Sequence, residues 1–291
     1  RASALMFVPL PKLAISVALL HVLAVNSAEV PNELVHIYFG CGCFWHVQHE
    51  FIQAEKDILD RAPATYTAIC GYAGGKIETM MGKTCYDNYA WPYIGNTEVV
   101  GMTVPKDKLF EIAEVFWELF KGKDRVDTMD VGIGYRAAIG IPGGSASELL
   151  EVVDAAQDKV AAKNGWRFEL KEGKGADSDT LGTALVWVYD TNEFPFVQAE
   201  LYHQFHDDFM PGGKYPQSYN DLVRDLISSG RLVNTGCPND LAPASSTSTS
   251  SGQALNNESD VPSRQSSMCT SSSHAWPVML LLRVASSLWG M

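Results

Sequence analysis

The sequence is short of cysteine, of basic residues and of long apolar runs. Six cysteines in 291 residues are too few for a fold built on disulfides. Lys and Arg number 22 against 34 Asp and Glu, a formal net charge of −12. Phosphate affinity needs clustered Lys and Arg, so nucleic acid is excluded as a partner class. The deficit sits in the middle of the chain: residues 1–28 carry +2, residues 241–291 are neutral, and residues 29–240 carry −14. The apolar run from Leu13 to Val25 is too short for a comfortable bilayer span, and Arg283 interrupts the one near the C-terminus. No internal repeat is visible. What is present is 46% hydrophobic residues and only 19% charged ones, enough to build a core and too apolar for a wholly disordered chain.

Both ends read as separate from the fold. Lys12, the apolar run and the small residues Ser27 and Ala28 are the parts of a secretory signal, which assigns residues 1–28 to targeting. A buried N-terminal strand or helix is the other reading. From Ala244 to Ser273, 15 of 30 residues are Ser or Thr; such a stretch buries too little to offset its ordering entropy, so residues 241–291 are expected to be a disordered tail. It holds the glycosylation sequon Asn257-Glu258-Ser259 and a short apolar end from Trp276 to Met291, which has parts of a lipid-anchor signal. The expected location is the secretory pathway, extracellular or at the cell surface, with organelle targeting the other use of such a leader.

Residues 29–240 alternate strand-like and helix-like segments. His36–Phe39, Val99–Val104, Tyr135–Ile141 and Leu185–Tyr189 read as strands. Pro105 suits a first helical turn, and Leu109, Ile112, Ala113, Phe116, Trp117 and Phe120 follow at helical spacing. Ser145 with Glu148 has the spacing of a capping box, opening a helix that Asn164-Gly165 stops. Mixed strands and helices of this kind predict an α+β layer fold.

The chemistry concentrates in Gly40-Cys-Gly-Cys-Phe-Trp-His-Val-Gln-His-Glu-Phe51, at the end of a strand and the start of a helix. A thiol on the first turn of a helix faces the positive end of the macrodipole and gains thiolate character. Position therefore nominates Cys43 as a nucleophile, against the commoner structural role of a buried cysteine. Cys41, Cys43, His46 and His49 offer a competing zinc set. One residue between the cysteines fits that set badly, and no metal is expected.

Here the sequence resembles the A-type peptide-methionine (S)-S-oxide reductases. The resemblance rests on Gly42-Cys43-Phe44-Trp45, Gly71-Tyr72-Ala73-Gly74-Gly75, Tyr86 twelve residues before Glu98, Glu98-Val99-Val100, Phe116-Trp117, Asp130-x-Gly132-x-x-Tyr135-Arg136 and Ala199-Glu200-x-Tyr202-His203-Gln204. It implies a two-layer α/β sandwich with a ferredoxin-like core, Cys43 as nucleophile, Glu98 as proton donor, Tyr86 and Tyr135 as active-site phenols and Asp130 as the orienting aspartate. The chain departs from the pattern at His46, where the family has Gly; at Asn96, where it has His; at Gly134, where it has Gln; and in residues 120–125, which replace a His-Asp-Pro loop. The Cys, Glu, Asp and both Tyr remain.

The chemistry of a sulfoxide suits these residues. Phe44 and Trp45 can wall in the methyl group, since sulfur–aromatic contacts are favourable. A buried Glu98 would hold a proton for the departing oxygen, and Tyr86 and Tyr135 can donate to that oxygen as its charge grows. Cys43 would be left as a sulfenic acid. Among the remaining cysteines, Cys237 in a Gly- and Pro-marked segment is the expected resolving thiol, with Cys85 a lesser candidate. The implied partners are oxidised proteins or free methionine sulfoxide and a thioredoxin-like or small-thiol reductant, with no organic cofactor. A thiol peroxidase or redox sensor, and a non-catalytic secreted binding module on the same fold, are the other function classes.

Overall fold

The computed structural model describes residues 33–76, 83–206 and 215–238. The expected signal, the Ser/Thr-rich tail, its sequon and its apolar end lie outside the described residues.

Alternation along the first strand sets the architecture. In β1 (Leu34–Gly40), Val35, Ile37 and Phe39 enter one core while Tyr38 enters another on the opposite face, as a period of two requires. β2 (Ile69–Ala73) and β3 (Thr97–Pro105) lie beside it in the sheet. Val100, Met102 and Val104 of β3 join the first core and Val99 the second. Between β1 and β2 runs α1 (Phe44–Asp57), which buries Phe44, Val47, Phe51, Ile52, Ala54 and Glu55 at helical spacing. Helix α2 (Leu109–Glu118) follows β3 through a short 3-10 turn after Pro105. The expected helix ends early: Phe120 belongs to a two-residue strand, β4 (Phe120–Lys121), paired with β5 (Asp124–Arg125).

β6 (Ala138–Ile141) is shorter than expected, because Tyr135 lies in a 3-10 turn ahead of it. The predicted capping box is displaced. Gly143 and Gly144 have positive φ and fold Ser145 into a 3-10 turn, and Ser147 caps α3 (Glu148–Asn164) by accepting the Leu149 amide at 3.3 Å. Gly165, in the left-handed conformation, ends that helix as predicted. Then come β7 (Glu169–Glu172), β8 (Leu185–Asp190), β9 (Val197–Gln198) and the short helices α4 (Gln217–Asn220) and α5 (Leu222–Ser228).

The main sheet has the order β7-β8-β6-β1-β3-β2-β9. Its pairs are antiparallel except β6–β8 and β7–β8; α3 crosses over from β6 to β7, and residues 173–184 cross over from β7 to β8. Residues of α1, α2 and α3 share the first core with β1, β3 and β6. The Trp117 indole N–H donates to the Val153 carbonyl at 2.9 Å, tying α2 to α3. On the other face Phe194 and Phe196, from the segment after β8, pack on Tyr38, Ala73, Val99, Ala138, Trp187 and Tyr189. The architecture is thus mixed α/β, a central sheet with helices on one face.

Two buried polar side chains fasten loops to this frame. Arg136 is fully buried and donates to Tyr189 Oη and to the carbonyls of Ile133, Gly74 and Gly95, all within 2.8 Å. Gln204 accepts the Cys70 amide at 2.9 Å and donates to the Cys70 carbonyl at 3.0 Å. Buried polar groups without such partners would cost about 1–3 kcal/mol each.

Candidate active site

β1 delivers the chain to a turn at Gly42, which has φ +75° and donates its amide to the Tyr135 carbonyl at 3.1 Å. A Cβ there would come within 2.4 Å of Asp127 Oδ2, so only glycine permits both the turn and the approach. Cys43 is the N-cap of α1, as its position predicted, and is fully buried beneath Trp45.

The first turn of α1 has no acidic residue and no side-chain cap of its own, yet its orphan amides need acceptors. Two carboxylates from distant segments supply them. Asp127 Oδ2 accepts the Cys43 amide at 2.8 Å, and Glu98 Oε2 accepts the Phe44 amide at 2.9 Å. Glu98 reaches it because it shares the alternation of Val100, Met102 and Val104 and so faces α1. Burial holds its carboxyl well above the usual range; the nearby Asp130 and Asp127 add to this, and the Phe44 amide and Tyr89 hydroxyl oppose it. A protonated Glu98 is what a proton donor requires.

Asp130 touches the site through Asp127. The two side chains hydrogen-bond, and burial followed by the Asp127 charge pushes Asp130 up to about 7, against the pull of Arg125. Asp127 Oδ1 also accepts the amides of Met129 at 3.0 Å and Asp130 at 3.3 Å. The loop is pinned from behind: Arg125 donates to the Asp130 carbonyl and, at 2.9 Å, to Asp179, which accepts the Gly132 amide at 2.7 Å.

Tyr86 and Tyr135 face each other, and Tyr89 stands with them. Burial, followed by the Glu98 charge, raises all three phenols, so they remain neutral donors. Tyr89 donates to Glu98 Oε1 at 3.3 Å and stacks on Tyr72 at 4.7 Å. Beside them lies an aromatic wall. Phe44 packs on His203 at 5.3 Å, Trp45 stacks on His206 at 4.0 Å, and Tyr86 packs on His203 at 4.3 Å. Burial, with a smaller contribution from His206, lowers His203 to about 3, so the wall presents a neutral imidazole.

The segment carrying His203 is a strap. Glu200 accepts the Tyr72 hydroxyl and the Tyr86 amide, each at 2.8 Å, and Gln204 pairs with Cys70. The Ala-Glu-x-Tyr-His-Gln motif thus positions Tyr86 and the wall rather than supplying a nucleophile.

The cysteines correct one expectation. Cys237 is bonded to Cys85, not to Cys43, with a Cα–Cα distance of 5.8 Å. Its segment is hung along the sheet edge, where Gln198 exchanges hydrogen bonds with Val233 and Lys83 donates to the Thr235 carbonyl at 3.0 Å. That course brings Cys237 to Cys85. The proposed zinc set also disperses: Cys41 points its sulfur at the Leu119 carbonyl, and His49 stacks on Tyr215. Among the described residues the only metal-compatible grouping is Cys85, Glu200 and Cys237, whose sulfurs are already bonded. A groove of about 490 Å³ between the start of α3 and β7 is lined by none of the site residues.

The structure therefore gathers Cys43, Phe44, Trp45, Tyr86, Glu98, Asp130 and Tyr135 around the start of α1 and leaves Cys237 in a bridge next to Tyr86. Sequence reasoning missed Asp127, Tyr89 and Glu200. Glu200 lay inside a recognised motif without a role. Asp127 and Tyr89 carry no local signal beyond proximity to Asp130 and Tyr86.

Residues 35–172 match the family model described as peptide methionine sulfoxide reductase. A Pseudomonas putida (strain GB-1) protein, peptide methionine sulfoxide reductase MsrA, is 32% identical over 128 residues, 43% of this chain and 51% of that protein; the chain thus spans about half of its length. The Geobacter sulfurreducens protein of the same name is 31% identical over 181 residues, 60% of this chain and 91% of that one. A solved structure, methionine sulfoxide reductase A of Corynebacterium diphtheriae, covers 60% of this chain and 73% of its own at 21% identity, with a TM-score of 0.38.

Proposed function

Because the chain belongs to the peptide methionine sulfoxide reductase family, we propose that it reduces methionine-S-sulfoxide, free or in proteins, with Cys43 as nucleophile. The observation that carries this reading is the pairing at the start of α1: Cys43 at the N-cap and the raised Glu98 carboxyl on the next amide.

The reaction balances on these groups. The Cys43 thiolate supplies the electron pair; the sulfoxide S–O bond breaks, and an S–O bond forms on Cys43. The proton on Glu98 passes to the transferred oxygen. Methionine leaves, Cys43 is a sulfenic acid and Glu98 is a carboxylate. Tyr86 and Tyr135 donate to the oxygen while it carries charge. Phe44 and Trp45 hold the methyl group. An external thiol then attacks the sulfenic acid, releasing water and leaving a mixed disulfide, and a second thiol frees Cys43. This reading takes the electrons that restore Cys43 from a dithiol of thioredoxin type or a small one. The leader-like residues 1–28 and the sequon at Asn257 support a working place in the secretory pathway.

Turnover of resolved S- and R-sulfoxides with dithiothreitol tests the reading. Consumption of the S form alone is expected. No turnover of either, or equal turnover of both, would overturn it.

A further inference from the structure

Cys85 Sγ, Cys237 Sγ and a carboxylate oxygen of Glu200 lie within 4.8 Å of one another, and all three residues are buried. None of them takes part in the steps at Cys43. We propose that, once the Cys85–Cys237 bond is reduced, these three side chains form a zinc site. The same clasp is then closed by a disulfide in oxidising surroundings and by a metal ion in reducing ones. This goes beyond the reaction above and does not depend on it.

The donors suit the ion. Zinc takes thiolate sulfur at about 2.3 Å and carboxylate oxygen at about 2.0–2.2 Å, and soft thiolates select it over magnesium or calcium. Two cysteines whose Cα atoms stand 5.8 Å apart can both reach one ion at such distances. The carboxylate is already aimed. The Tyr72 hydroxyl donates to Glu200 Oε2 and the Tyr86 amide to Oε1, each at 2.8 Å, the outer support that orients a metal-bound carboxylate. Each oxygen keeps a further lone pair for the ion. Three protein ligands leave the fourth tetrahedral position to water.

The site outlasts the bond because both sulfurs are held by other contacts. The Cys85 amide donates to Asn88 Oδ1 at 2.9 Å. Ahead of Cys237, Val233 exchanges hydrogen bonds with Gln198, and the Thr235 carbonyl accepts Lys83 at 3.0 Å. Gly236 and Pro238 are exposed on either side of Cys237, which gives an ion a way in from solvent. The step balances with a dithiol as reductant. The dithiol attacks the bridge through a mixed disulfide and is oxidised to its own disulfide, and its two protons pass to Cys85 and Cys237. Zinc then binds both sulfurs as thiolates and sends those two protons to solvent, while Glu200 joins as a carboxylate.

The test uses the full-length protein and zinc alone as the probe. The chain is reduced, freed of reductant without air and titrated with zinc by calorimetry, beside the oxidised parent. The reduced parent should bind one zinc per chain and the oxidised parent none. Cys85→Ser and Cys237→Ser, which keep every other cysteine, should each lose that binding when reduced. Glu200→Gln should weaken it by at least about tenfold. X-ray absorption of the zinc-loaded parent should count two sulfurs and oxygen in the remaining positions. Binding that persists in the serine variants, or equal binding by the oxidised parent, would place the ion elsewhere and overturn the proposal; so would no binding by the reduced parent. Four sulfurs or a nitrogen shell around the ion would overturn it as well, even if Glu200→Gln fails to fold. Because no sulfoxide is used, the result is separate from whether the protein is a reductase.

Discussion

Glu98 and Glu200 are both almost fully buried, and each accepts one backbone amide and one phenol: Phe44 and Tyr89 for Glu98, Tyr86 and Tyr72 for Glu200. They differ in what lies beyond. Glu98 faces the Asp127 and Asp130 carboxyls and the residue that follows Cys43. Glu200 faces the bonded sulfurs of Cys85 and Cys237. Identical hydrogen bonding thus serves two ends. At Glu98 burial first, and the neighbouring acids after it, raise a carboxyl that lies beside Cys43. Next to a disulfide it holds a turn in place.

The sharpest way to break the comparison is at the sulfurs. Cys43→Ser should abolish sulfoxide reduction, because a serine hydroxyl cannot take the oxygen as a sulfenic acid; retained turnover in a folded sample would move the chemistry elsewhere. Glu98→Gln keeps the shape but not the proton. Single-turnover reduction should slow by ~10²–10⁴-fold, while alkylation of Cys43 persists; equal loss of both would make Glu98 structural, like Glu200.

On the strap side the expected effect is on stability. The Cys85–Cys237 bridge spans 152 residues, and losing such a bridge typically costs ~2–4 kcal/mol. Cys85→Ser and Cys237→Ser should each lower the melting temperature to that of the reduced parent, with the first turnover at Cys43 preserved. Loss of the first turnover would place the bridge within the reaction.

The smallest effect is a slope. Asp130 is raised from 3.8 to about 7, so the folded state keeps a proton that the unfolded chain has released. Its contribution to stability is complete below about pH 4 and is lost as pH rises to 7. Asp130→Asn, neutral at every pH, should therefore match the parent at pH 4 and become the more stable of the two by pH 8. Parallel melting curves across that range would remove the charge pair from the comparison.

How much of this could be read from the sequence follows from where each signal resides. Cys43, Glu98, Tyr86 and Tyr135 stand in motifs whose spacing survives, and β1, β3, α2, α3 and β8 announce themselves by period. Two-residue strands such as β9 offer no period to read. The capping box failed because two positive-φ glycines moved the helix start from Ser145 to Ser147, a backbone effect that side-chain spacing does not reveal. Asp127 was invisible because its partner amide is far away in the chain and its loop is placed by Arg125 and Asp179. Cys237 was judged by the flexibility of its segment, whereas its course is decided by hydrogen bonds from Gln198 and Lys83 that no local pattern encodes.

The Gln204 side chain has a consequence outside catalysis. An open strand flank carries unpaired N–H and C=O groups that invite another chain to add on and grow a fibre. Strand β9 covers β2 only at Gly71 and Tyr72. At Cys70, the next residue along, the Gln204 side chain accepts the backbone N–H as a neighbouring strand would, and it shares the carbonyl with the Ala199 amide. Gln204→Leu would uncover the N–H of that rung, and its symptom should be self-association on heating.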